Sequence, residues 1–206
     1  MAAKEDSIQD NNTAATAGNR LFPIFLKLEQ LSVLIVGGGY VGMEKLSAIL
    51  NNAPAAKITL VAPQISEAIA DAASQFKNIH LVQKPYDYTD LEGHDIVIAA
   101  LNDQVVSKQV ATDAKNKKIL VNAADKPELC DFYLGSVVKK GNCKIAISTN
   151  GKSPTIAKRI KEFLNDVLPE EIDELLNNME SIRNKMSGDF TEKVKQLNEI
   201  TKTLSK

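Results

Sequence analysis

The sequence predicts an α/β protein: a doubly wound parallel sheet followed by a helical C-terminal region. Three observations carry that prediction. Short aliphatic runs alternate with segments of helical periodicity between Ser32 and Ile147. A glycine cluster, "VGGGYVG", joins the first aliphatic run to the first helical segment. After Ser153 there is no strand signal, and apolar residues recur only at helical spacing.

Taken in order, "LFPIFLKLEQ" is a short apolar lead-in. "VLIVG" reads as a buried strand and "YVGMEKLSAILNNA" as a helix. "KITLVAP" is a strand stopped by Pro63, and "QISEAIADAASQF" is helical. "NIHLVQK" and "DIVIAAL" are strands, "DQVVSKQVATDAKNKK" a helix, and "ILVNAAD" and "CKIAIST" strands. Continuous aliphatic strands separated by helices call for a parallel sheet covered on both faces. Right-handed crossovers then give a doubly wound sheet of Rossmann type. Ser153 and Pro154 form an N-cap and first-turn pair for the next helix. Pro169, followed by Glu170 and Glu171, breaks that helix and starts another. The expected organisation is a polar, disordered tail over 1–20, a Rossmann domain over 21–125, a connecting segment with one strand over 126–152, and a helical region over 153–206.

Composition narrows the class. With 206 residues and 44% hydrophobic content, the chain can build one medium domain and an appendage. A formal net charge of -1 argues against nucleic-acid binding by bulk electrostatics. Cys130 and Cys143 have neither C-x-x-C nor zinc-ligand spacing, which suits a reduced, cytoplasmic protein. No segment has the apolar length of a membrane span, and the N-terminal 20 residues lack the apolar core of a signal peptide.

Gly37, Gly39 and Gly42 complete a G-x-G-x-x-G motif, with Gly38 as an extra, between a strand and a helix. The first glycine permits a tight turn, the second admits a pyrophosphate, and the third lets helix and strand pack closely. A phosphate would sit at the helix N-terminus. The usual ribose-binding acid is missing: the end of the second strand reads Val61-Ala62-Pro63-Gln64, without an arginine for a 2′-phosphate either. Gln64 can hydrogen-bond ribose hydroxyls, and NAD and NADP both stay open on these residues.

Two further loops carry polar groups. In "ILVNAADKPELCDF", Asn122 and Asp125 lie at a strand end, where a carboxylate could move a proton. On residue type alone, an Asx-turn at Asp125 is the favoured reading. In "CKIAISTNGKSP", Ser148, Thr149, Asn150, Gly151, Lys152 and Ser153 form a loop before a helix N-terminus, a second place for an anion. Lys139, Lys140, Lys144, Lys152, Lys158, Arg159 and Lys161 concentrate positive charge nearby, either as a solvated face or for a polyanionic ligand. His80 and His94 read as ordinary strand or loop residues, and no metal site is expected. Cys130 reads as buried or incidental.

The motifs "VLIVGGGYVGMEK", "VIAALND", "N-x-x-D-x-P-x-x-C-x-F" and "S-T-x-G-x-S-P" together resemble the precorrin-2 dehydrogenase family, the NAD-dependent dehydrogenase and ferrochelatase part of sirohaem synthases. The resemblance runs from Leu21 to Pro169. It implies NAD as cofactor, with contacts at Gly37, Gly38, Gly39, Tyr40, Val41, Pro63, Gln64, Ala100, Leu101 and Asn102. It implies oxidation of precorrin-2, a tetrapyrrole with eight carboxylates, to sirohydrochlorin, with Asp125 as the catalytic residue. Substrate contacts are expected at Asn122, Ser148, Thr149, Lys152 and Ser153. Homodimerisation is expected through the part after the Rossmann sheet.

Three departures from the family pattern stand out: Gly42 for a common alanine, Asn150 for a common glycine, and Gly135 for a frequent proline. The methyltransferase half of fused sirohaem synthases has no counterpart here, so synthesis of precorrin-2 itself is not expected. Two alternatives accompany this reading. One is a bifunctional enzyme that also inserts ferrous iron into sirohydrochlorin. The other, of a different class, is a non-catalytic NAD-sensing dimer.

Overall fold

The computed structural model describes residues 18–187 and 189–202. Most of the expected N-terminal tail, residues 1–17, lies outside the described residues. Five parallel strands form the central sheet: β1 (Ser32–Val36), β2 (Lys57–Ala62), β3 (Ile79–Gln83), β4 (Ile96–Ala99) and β5 (Leu120–Ala123). Their spatial order is β3-β2-β1-β4-β5, the Rossmann arrangement with the order reversing between β1 and β4.

Alternation along β1 sets the two layers. Val33 and Ile35 face a core that includes Leu46, Ile49, Leu60 and Ile69, under α1 (Tyr40–Asn52) and α2 (Glu67–Ser74). Leu34 and Val36 face the other side, with Val97, Val110, Ala111, Ala114 and Val121 under α3 (Gln104–Asn116). Both faces of β1 are therefore dry, which is why the run reads as continuously aliphatic rather than alternating. Ser66 precedes α2, so Gln64 and Ile65 belong to a turn rather than to the helix expected there.

Beyond the sheet the chain forms an antiparallel hairpin, β6 (Ser136–Lys140) with β7 (Cys143–Ile147), then α4 (Pro154–Val167), α5 (Ile172–Lys185) and α6 (Phe190–Thr201). The segment 126–152 thus holds two strands where one is expected. The missed strand, "SVVKK", has only two apolar residues and ends in two lysines. Its signal was the turn, Gly141-Asn142, with Gly141 at φ 54°, a sequence pair that favours a two-residue hairpin loop. Ser153 caps α4 by accepting from the Ile156 N–H at 3.2 Å, and α4 stops before Pro169 as expected. Among the described residues no helix is long and apolar enough to cross a membrane.

Candidate active site

The carboxyl ends of β1, β2, β4 and β5 open onto one edge of the sheet, and backbone hydrogen bonds lash their loops together. Gly37 N–H donates to Val61 at 2.9 Å, Ser66 N–H to Gly38 at 2.9 Å, Ala100 N–H to Val36 at 2.8 Å and Ala124 N–H to Ala99 at 2.9 Å. The candidate residues Gly37–Val41, Pro63–Gln64, Ala100–Asn102 and Asp125 consequently share this edge.

The glycines fall into two groups. Gly37 has φ 128°, and a Cβ there would overlap the Ala100 carbonyl oxygen. A Cβ on Gly38 would overlap the Gln64 carbonyl and meet the Ala62 side chain, and one on Gly42 would overlap the Gly37 carbonyl. These three hold the turn together. Gly39 differs: a Cβ there would meet nothing within 4 Å. It is the exposed N-cap residue of α1, and no side chain caps that helix. The first-turn N–H groups of α1 therefore end in open space beside a residue without a side chain. That cradle fits a dinucleotide pyrophosphate, whose charge a helix N-terminus favours by roughly 0.3–2 kcal/mol. Tyr40 projects into solvent at 86% exposure, and Pro63 and Gln64 are exposed.

Asp125 lines a cleft of about 530 Å³ together with Leu101, Asn102, Lys108, Ala124, Lys126 and Leu129. Its backbone is left-handed, φ 57°, a conformation that Asp tolerates better than most residues. The side chain is exposed, and among the described residues no group bonds to its carboxylate. An Asx-turn from Asp125 would need the N–H two residues on, which is Pro127 and has none. The turn favoured on residue type does not form.

The rest of "NAADKPELCDF" explains how Asp125 is held. Asp131 N–H donates to Val121 at 2.8 Å, and Val121 N–H donates to the Asp131 carboxylate at 3.1 Å. Residues after the loop thus run back along β5, the sheet's outer strand, and cover its exposed edge. Cys130 Sγ donates to the carbonyls of Ala123 at 3.2 Å and Lys126 at 3.3 Å and accepts from Ala123 N–H at 3.2 Å. Burial pushes its thiol pKa up, with Ala123 N–H opposing the shift and the Glu128 and Asp131 carboxylates adding to it. Cys130 is therefore a structural tie rather than an incidental residue. Asn122, expected to touch substrate, is instead 6% exposed and donates to the Phe132 carbonyl at 2.8 Å, so its side chain braces the same loop.

Ser148, Thr149, Lys152 and Ser153 do not line the Asp125 cleft. Asn19 donates to Ser148 Oγ at 3.2 Å, Thr149 Oγ1 donates to the Ser153 carbonyl at 3.1 Å, and Ser153 Oγ caps α4. Asn150, at φ 55°, takes the left-handed position before Gly151. Asparagine tolerates that conformation, which accounts for its standing where the family commonly has glycine.

Four of the seven cations in the basic cluster have partners within the protein. Lys139 Nζ donates to the Asn51 carbonyl at 3.2 Å and Lys144 Nζ to the Asn52 carbonyl at 2.6 Å. They cap the C-terminal end of α1, opposite the glycine turn, where cations suit the helix dipole. Lys140 pairs with Glu170 and donates to the Leu168 carbonyl, and Arg159 pairs with Glu162. Only Lys152, Lys158 and Lys161 are without such partners among the described residues. The cations that do line the cleft, Lys108 and Lys126, were missed. Lys108 sits one turn into α3, on the side of that helix nearest Asn102 and Gln104, and periodicity alone marks it only as a polar position.

Comparison with known proteins agrees with this geometry. The family model described as NAD(P)-binding matches residues 24–136, and the model for the sirohaem biosynthesis protein central segment matches residues 140–166. The chain is 37% identical over 174 residues to the siroheme synthase of Psychrobacter sp. (strain PRwf-1), covering 84% of this chain and 34% of that protein. It is 34% identical over 174 residues to the siroheme synthase of Methylococcus capsulatus, with the same coverage of 84% and 34%. The chain thus spans about a third of the length of these curated relatives. Among solved structures, it resembles SirC, precorrin-2 dehydrogenase, with TM-score 0.70 and 29% identity, over 87% of this chain and 89% of that one. With residues 24–136 of its 206 matched, the chain belongs to this NAD(P)-binding family and continues into the central segment of the sirohaem biosynthesis proteins.

Proposed function

We propose that this protein is an NAD-dependent precorrin-2 dehydrogenase, oxidising precorrin-2 to sirohydrochlorin. One observation carries the reading: an unpaired carboxylate, Asp125, in a cleft that also includes Leu101 and Asn102 from the loop after β4, beside the glycine turn. The likeness to SirC, a precorrin-2 dehydrogenase, supports precorrin-2 as the substrate.

Bound at the glycine turn, NAD would supply a hydride acceptor. Gly37, Gly38 and Gly39 with the N–H groups at Tyr40 and Val41 would hold its pyrophosphate, and Ala100, Leu101 and Asn102 would border its reactive end. Loss of two hydrogens from the macrocycle leaves as one hydride and one proton. Asp125 takes the proton: its oxygens are exposed and free of competing donors, as a general base requires. Lys108 offsets part of the negative charge that a ring bearing eight carboxylates brings to a cleft already holding Asp125 and Glu128. NAD is favoured over NADP because a 2′-phosphate needs a cation at the end of β2. Pro63 and Gln64 offer none, and Lys84, after β3, is paired with Asp90 at 2.7 Å.

We assign the segments as a Rossmann domain over 21–125, a connecting hairpin over 126–152 and a helical dimerisation region over 153–206. A second copy of the chain is the partner that suits α4. Ile156, Ile160, Phe163 and Val167 recur at helical spacing along it and are 38–62% exposed.

The test is spectroscopic. Protein, precorrin-2 and NAD together should yield NADH absorbance and the sirohydrochlorin spectrum at the same rate. Absence of both overturns the reading. A second arm, sirohydrochlorin with ferrous iron and no NAD, measures metal insertion, in which Asp125 could accept the pyrrole protons.

A further inference from the structure

The position after Asp125 is open in the motif N-x-x-D-x-P-x-x-C-x-F, yet its occupant here makes one long-range bond and one local one. Lys126 Nζ donates to the Leu101 carbonyl at 3.1 Å and to the Ala124 carbonyl at 3.4 Å. Leu101 follows β4 and Ala124 follows β5, so one ammonium joins the two loops that flank the cleft. Among the described residues no carboxylate pairs with it. Bonds from a charged donor to neutral carbonyls are stronger than those between neutral groups.

We propose that Lys126 is a positioning residue, a strut that fixes the height of the Asp125 loop against the Leu101–Asn102 segment. This rests on the reading of Asp125 as the proton acceptor.

The surrounding backbone shows why a strut there sets the position of Asp125 in particular. Ala124 is anchored to Ala99, and Lys126 N–H donates to the Ala123 carbonyl at 3.3 Å. The Lys126 carbonyl accepts from Cys130. Pro127 restricts the residue before it, and Lys126 sits at φ -133°, ψ 73°. Both neighbours of Asp125 are thereby tied, and Asp125 itself holds the sparsely populated left-handed conformation between them. What the backbone bonds do not fix is the gap between the β4 and β5 loops beyond the last paired residues, Ala99 and Ala123. The Lys126–Leu101 bond crosses that gap. Cleft width at this point decides whether substrate, hydride acceptor and carboxylate align, and a misplacement of about 1 Å can lower a rate by ~10²-fold.

The experiment compares the full-length chain with Lys126→Met and Lys126→Arg. Met keeps the length of the stem and removes the donor; Arg restores a donor. For the strut, Met should lower kcat for precorrin-2 by ~10- to 100-fold with the Kd for NAD changed far less, and Arg should recover most of the loss. Unchanged kcat in the Met variant, or a loss that Arg does not recover, overturns the proposal. Amide hydrogen exchange gives a readout that needs no substrate. Met should speed exchange around Leu101–Asn102 and Ala124–Asp125 together, and equal exchange in the wild type and the Met variant overturns the strut. A wild-type chain that does not oxidise precorrin-2 would instead overturn the functional reading, and the exchange result would still decide on the strut.

Discussion

The Rossmann body and the region after it bury their apolar residues in opposite ways. From Val33 to Ala124 both faces of the sheet are closed, with Leu34, Ile35, Leu46, Leu60, Ile69 and Val97 at 0% exposure. Beyond Ala124, only Val138 and Ala157 among the described hydrophobic residues are buried. α5 has no buried residue, and α4 turns Ile156, Phe163 and Val167 outward at 53%, 62% and 60%. The difference teaches where each region finds its stability. The body satisfies itself, while the helical region leaves an apolar face uncovered among the described residues, the surface that the proposed dimer would cover. Two lysine caps, Lys139 and Lys144 on the end of α1, help tie the regions together through polar bonds.

On the proposed mechanism the proton chemistry lies outside the helical region, at the strand ends of the sheet. Asp125→Asn is the sharpest test, because Asn also tolerates the left-handed backbone and leaves the loop in place. Turnover should fall by ~10²–10⁴-fold, the usual worth of a general base, with melting temperature, oligomeric state and NAD affinity kept. Full activity in this variant would remove Asp125 from the mechanism.

Stability should respond next. Leu34→Ala empties a site with no exposure and should cost ~2–5 kcal/mol in urea unfolding. Phe163→Ala removes a larger side chain from an exposed helix face and should cost little at protein concentrations where the chain is monomeric. Placing charge on that face, Phe163→Glu with Val167→Glu, should convert dimer to monomer in light scattering without loss of NAD binding. Equal destabilisation by Leu34→Ala and Phe163→Ala in the monomer would erase the contrast between the regions.

Within the body, two glycines separate folding from ligand binding. Gly37→Ala imposes a Cβ at positive φ against the Ala100 carbonyl, which should cost ~1–3 kcal/mol or more by thermal melting. Gly39→Ala meets open space at φ -97°, so melting should be unchanged while NAD affinity, by calorimetry, falls. A Gly39→Ala variant that binds NAD normally would move the pyrophosphate off α1.

Much of this architecture was legible because the inner body strands β1 and β4 are dry on both faces and announce themselves as aliphatic runs. "SVVKK" had no such run, since its hairpin lies outside the double-layered core and only its Gly-Asn turn betrayed it. The glycine turn was legible residue by residue: strained, packed and open positions fell at Gly37, Gly42 and Gly39 as the spacing predicts. Side-chain commitments were not. Nothing local in the sequence says that Lys139 and Lys144 reach carbonyls 88 and 92 residues away, or that Lys126 reaches Leu101. A run of lysines looks the same whether it awaits a polyanion or caps a helix, and only the packing of the hairpin against the end of α1 decides which.

The smallest expected effect concerns Cys130, the tie beneath Asp125. Burial raises its thiol pKa in the folded chain, so the folded state keeps the proton after the unfolded state begins to lose it. That stabilisation is complete below the unfolded value, ~8.5, and is lost as pH rises through the higher folded value. Cys130→Ser keeps a donor for the Ala123 carbonyl and does not titrate in this range. Urea midpoints of the wild type should therefore fall more steeply above pH ~8.5 than those of the serine variant. Tyr86 is also raised, by burial first and then by its bond to Asp113, but it contributes equally to both chains and cancels from the difference. Parallel slopes would mean that the thiol is no more protected in the folded loop than in the unfolded chain. Cys130 would then hold the loop by shape alone, and the Asp125 platform would depend on Asn122 and Asp131.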